Sequence, residues 1–81
     1  DVVNSFKFRY LSGDLKIWTI IENKLLSLES IKELSIEYYD LDSLQGKIYF
    51  SGNLDKLSLI MTENDILFTY LGKYSDISLI E

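Results

Sequence analysis

Tyr10-Leu11-Ser12-Gly13-Asp14-Leu15 opens a segment whose apolar run closes at Glu22-Asn23, and Tyr49-Phe50-Ser51-Gly52-Asn53-Leu54 opens a second that closes at Glu63-Asn64. Each copy reads as the end of a strand, a tight Ser-Gly turn and a helix. Two copies at about half the chain length are too few for a solenoid. They point instead to a paired βαβ arrangement.

Upstream of the first copy, Phe6-Lys7-Phe8-Arg9-Tyr10 alternates aromatic with basic, the period of a strand that buries one face, so the aromatic set points inward. Asp14 is placed to cap the next helix, in which Leu15, Trp18, Ile21, Leu25 and Leu28 recur at helical spacing and Ile17 and Ile20 widen the stripe. The period then switches to two. Leu34, Ile36 and Tyr38 fall on one side of a second strand starting at Ile31, and Glu33, Ser35, Glu37 and Tyr39 on the other. Asp40 to Gly46 is rich in turn formers, with Gly46 free to take positive φ, and it predicts a hairpin into Lys47-Ile48-Tyr49-Phe50-Ser51. Asn53 caps a second helix through Leu54, Leu57, Ile60 and Met61.

Two readings fit the next stretch. Either Ile66 to Leu71 is a strand joined through Gly72-Lys73 to a last strand at Tyr74 to Ile80, or the second helix runs on to Leu71 and only the last strand comes after it. The poor helix-forming pair Asn64-Asp65 favours the strand. Alternation also sends Tyr10 inward and Tyr49 outward, so the repeat does not hold residue for residue without a bulge.

The chain has 81 residues, 47% of them apolar and 26% charged, which bounds it at one small globular domain spanning residues 1–81. A core of this size rarely supplies more than about 3–5 kcal/mol, and neither a disulfide nor a histidine metal site can add to it, because Cys and His are absent. The chain opens at Asp1, and the expectation is a piece of a larger protein. Net charge is −5, and the eight Lys and Arg residues form no run along the sequence, which argues against nucleic acid as a partner. No apolar run could span a bilayer, so any membrane attachment is expected from a segment outside this chain.

Without His or Cys, the most versatile proton carriers and nucleophiles are missing, and no enzymatic activity is expected. Asp40-Leu41-Asp42 begins like a calcium loop, but Leu44, Gln45 and Ser51 stand where a ligand, the turn glycine and the closing glutamate belong. Ser12-Gly13 and Ser51-Gly52 precede helices, yet Asp14 and Asp55 would repel a phosphate there. No cofactor is expected. Trp18 reads as a core anchor. Leu11, Tyr39 and Tyr49 fall on the outer face by alternation and are the candidate interaction residues. The lightly charged terminal stretch Ser78-Leu79-Ile80 reads as an unprotected sheet edge.

The full order of strand, helix, hairpin, helix and strand predicts an α+β domain of ferredoxin-like βαββαβ type. Its antiparallel sheet would carry two helices on one face, with a possible extra C-terminal hairpin. The segments IWTIIENKLLSLESIKELSI (17–36), GKIYFSGNLDKL (46–57) and YSDISLI (74–80) resemble the periplasmic domains of fimbrial assembly proteins from type IV pilus and type II secretion platforms. Gly46, Gly52, Tyr74, Asp76 and Leu79 occupy the corresponding places. The step from Gly52 to Leu57 is also similar to one in a bacterial envelope family of unknown function. The resemblance implies a periplasmic scaffold that dimerises or pairs with a related subunit; the small core, the terminal stretch and the outward aromatics make the sheet the expected contact with a protein partner or second copy. Two other roles remain open, a small-ligand regulatory domain and a free acidic inhibitor.

Overall fold

The computed structural model describes residues 2–80. Its elements run β1 (Val3–Tyr10), α1 (Leu15–Leu26), β2 (Ile31–Tyr39), β3 (Leu44–Ser51), α2 (Leu54–Glu63), β4 (Ile66–Tyr70) and β5 (Ser75–Leu79). Asp14 caps α1 by accepting from the amides of Lys16 and Ile17 at 3.0 and 3.2 Å, and Asn53 caps α2 by accepting from Lys56 at 2.8 Å. Asp65 takes φ 63, a left-handed conformation that no helix interior tolerates. It stops α2 and releases Ile66–Tyr70 as a strand, which decides between the two readings of that stretch.

Five strands form one sheet in the order β2-β3-β1-β5-β4. The antiparallel βαββαβ expectation therefore needs correction. β1 pairs antiparallel with β3, but its other neighbour is β5, which runs parallel to it, and β4 is pushed to the edge. Arg9 marks the new seam. It sits opposite Asp76 of β5, donates from Nε to the Asp76 carboxylate at 3.0 Å, and lies 4.1 Å from the centroid of the Tyr74 ring. β4 has no carboxylate to offer in that place.

Alternation across β1 and β3 holds as read. Phe8, Tyr10, Ile48 and Phe50 are buried, and Tyr49 faces away from them. Trp18 of α1 lies over β1, stacked on Phe8 with ring centroids 5.4 Å apart and 5.5 Å from Tyr10. One buried cluster joins these residues to Ile21 and Leu25 of α1, Leu57 and Met61 of α2, and Ile66 and Ile77 of the C-terminal strands, so both helices cover the same face. The α1 stripe is narrower than its spacing suggests, because Leu15 and Ile20 stay exposed.

Gly46 is inside β3 and not in the turn. Opposite Phe8 it would point a Cβ into the backbone carbonyl of Ser35 on β2 and against the Phe8 ring, so closeness of strands and ring requires glycine here. The turn is made upstream by Asp40, whose amide bonds the Ser43 carbonyl at 2.9 Å and whose carboxylate accepts from the amides of Asp42 and Ser43. No helix among the described residues is long and apolar enough to cross a membrane.

Candidate functional site

The structure does not bring Leu11, Tyr39 and Tyr49 together. Tyr49 is on the open face, opposite Ser5 and Glu33. β2 shifts register between Ile36 and Tyr38, which exchanges the facing of its last residues: Tyr38 comes opposite Gln45 on the open face, and Tyr39 opposite the buried Leu44. Leu11 lies beyond β1, in the loop that lines a cleft of about 540 Å³ with Ile17, Asp76 and Leu79. The Asp14 carboxylate already occupies the first amides of α1 beside that cleft, which leaves them unavailable to an anion.

The terminal stretch is unpaired on one side only: β5 lies between β1 and β4 in the sheet, but its pairing with β1 ends at Asp76, so Ser78 and Leu79 bond β4 alone and line the Leu11 cleft on their other side. The outermost strands are β2 and β4. β2 carries Lys32, Glu33 and Glu37 and is irregular twice, between Ile31 and Glu33 and between Ile36 and Tyr38. β4, Ile66-Leu67-Phe68-Thr69-Tyr70, has no charge, and its register with β5 is unbroken from Ile66 opposite Leu79 to Tyr70 opposite Ser75. Leu67 is 50% exposed, Tyr70 60% and the adjoining Leu71 49%.

The hydrogen-bond phase of β4 is fixed by its two ends. The Ile80 amide donates to the Asp65 carbonyl at 2.7 Å, and the Leu71 amide donates to the Tyr74 carbonyl at 3.0 Å. In an antiparallel ladder only alternate residues bond a given neighbour. Asp65, Leu67, Thr69 and Leu71 therefore face β5, and Ile66, Phe68 and Tyr70 turn their N–H and C=O groups outward. Along the same edge, Leu54, Asp55 and Ser58 of α2 and Phe68 and Tyr70 of β4 line a groove of about 520 Å³.

The open face gathers basic residues that lie far apart in sequence. Lys7 is directly opposite Lys47, an arrangement that costs stability unless a counter-charge is present, and neither meets a carboxylate within salt-bridge distance among the described residues. No group of three or more acidic side chains is placed to hold a metal ion among the described residues. Ser75 Oγ is buried with no hydrogen-bond partner, and the chain has no histidine to activate it. No family model, curated protein or solved structure matches this chain.

The β4 edge is visible in the sequence as five consecutive uncharged residues, but its position is not, because the last strand reads as the end of the sheet. The convergence of Lys7 with Lys47 depends on strand register and leaves no mark in linear spacing.

Proposed function

We propose that this domain is a non-enzymatic protein-interaction module that docks an extended segment of a protein partner onto the β4 edge. The observation that carries the reading is the outward row of backbone groups on an uncharged, unbulged edge strand, with the α2/β4 groove placed to take side chains of an added strand. Main-chain bonds would supply affinity, and the groove specificity. A scaffold role in a bacterial envelope assembly, as the sequence resemblance implies, would suit such a module. The small-ligand alternative has less support, because the amides beside the Leu11 cleft are already capped by Asp14.

Selection of a randomised extended-peptide library on the immobilised domain tests this reading. Binders should be recovered that lose affinity when Tyr70→Pro removes one outward donor. A library that yields no binder, or binders indifferent to that change, would count against the β4 edge.

A further inference from the structure

We propose that the strand accepted by β4 is β4 of a second copy of this chain, paired antiparallel about a two-fold axis at Phe68. The inference rests on the edge-docking reading and names its occupant. Three features select a second copy in this orientation.

The first is hydrogen-bond phase. With Ile66, Phe68 and Tyr70 facing outward, a two-fold at Phe68 sets Phe68 opposite its own copy and Ile66 opposite Tyr70 of the other. All three pairs are then of the kind that exchange two bonds, about six in total. No outward group in the strand is left without a partner, and an isologous contact of this type closes as a dimer. The second is charge. Glu63 and Asp65 precede β4 and Lys73 lies beyond it, so antiparallel pairing brings the acidic end of one strand toward the basic end of the other, at both ends of the contact. Parallel pairing would set acid against acid. The third is side-chain placement. Phe68 and Tyr70 border the α2/β4 groove, so the two grooves would meet across the axis around the Phe68 pair, while Leu67 and Thr69 pair on the open face.

Sedimentation equilibrium of the intact domain from roughly 1 µM to 1 mM should show a reversible dimer. Tyr70→Pro should weaken it at least about tenfold while leaving the circular dichroism unchanged, since the lost amide faces away from β5 and an edge strand tolerates proline there. The register has its own test because the chain contains no Cys. Under mild oxidation an equimolar mixture of Leu67→Cys and Thr69→Cys proteins should crosslink, its Cα atoms about 4.5 Å apart in the proposed pairing and within disulfide reach. Either protein alone should crosslink far more slowly, at a diagonal separation of about 7–8 Å.

A strictly monomeric wild type, or a mixture that crosslinks no faster than its components, overturns the self-pairing. If the domain is monomeric and selected peptides still require Tyr70, self-pairing fails and edge docking stands. A dimer indifferent to Tyr70→Pro, without the mixed disulfide, overturns self-pairing at β4, and edge docking then falls as well if no selected peptide depends on Tyr70.

Discussion

β2 and β4 both leave one row of backbone groups without a strand partner, yet only β2 is defended. Its nine residues carry Lys32, Glu33 and Glu37, with Lys32 and Glu37 at the two places where the register slips. A partner strand laid along β2 would have to track two irregularities and bury charge. β4 offers five residues, no charge and a straight register. In a chain with 21 charged residues (8 basic plus 13 acidic), charge is concentrated on one edge strand and absent from the other.

The two edges hang from a shared centre, so the largest effect should come from removing it. Trp18 is buried, stacks on Phe8 and touches Tyr10, both on the strand that joins the β2 half of the sheet to the β4 half. Trp18→Ala is expected to cost about 3–5 kcal/mol, comparable to all the stability a core of this size supplies. Denaturant titration should find the variant largely unfolded, with neither edge surviving. A variant with an unchanged midpoint would show that the ring stack carries little of the fold.

The next change separates the halves. In Gly46→Ala the new methyl group would meet the Ser35 carbonyl and the Phe8 ring, forcing β2 away from β3. Overpacking of this kind costs about 1–3 kcal/mol. Amide exchange should accelerate along β2 and remain slow where β4 bonds β5. Equal acceleration on both sides would mean that the sheet opens as one unit.

A smaller loss, on the opposite side, is expected from Arg9→Gln. β1 and β5 share only the register pairs Phe8 with Ser75 and Arg9 with Asp76, and the guanidinium spans that short seam to Asp76 and Tyr74. The pair is partly solvated, so the melting temperature should fall only modestly. Exchange should rise in the β4-β5 hairpin and not in β2-β3. If β2 loosens instead, the seam is not what holds the C-terminal hairpin.

Local chemistry is readable from the sequence wherever it is set by near neighbours. The caps at Asp14 and Asn53, the buried stripe of Trp18, Ile21 and Leu25, the inward aromatics of β1 and the break at Asn64-Asp65 each depend on residues within a few positions. The unreadable features are decided by pairing across the sheet. Arg9 and Asp76 lie 67 residues apart, and the pairing they mark, β5 beside β1, makes the sheet mixed and leaves β4 outermost. Gly46 looks like a turn residue because its real constraint, the Ser35 carbonyl, belongs to another strand. Tyr39 changes facing through one slip near Glu37 that strict alternation does not encode. Tyr39 nevertheless stays exposed, as does Leu11, and Tyr49 keeps the outward facing that alternation gives it.

The smallest effect should be a pH dependence confined to the β2 end of the sheet. The Tyr38 hydroxyl donates to Asp40 at 2.8 Å, and the amides of Asp42 and Ser43 add to it, holding the Asp40 carboxyl below its usual range. The same bond to Asp40 raises the Tyr38 phenol above its ordinary value. The signs are opposite. A depressed carboxyl contributes stability above its unfolded pKa of about 3.9 and loses it as pH falls through the lower folded value; a raised phenol contributes below about 10 and loses it as pH rises through the higher one. The turn should therefore be tightest between these limits and loosen in acid and in alkali. Tyrosinate absorbance of wild type minus Tyr38→Phe should reveal one phenol ionising above a pH of about 10, and Asp40→Asn should flatten the acid limb of turn exchange without moving β4, which has no carboxylate of its own. A Tyr38 that ionises at the ordinary value, or an acid response shared equally by β4, would remove this distinction between the edges.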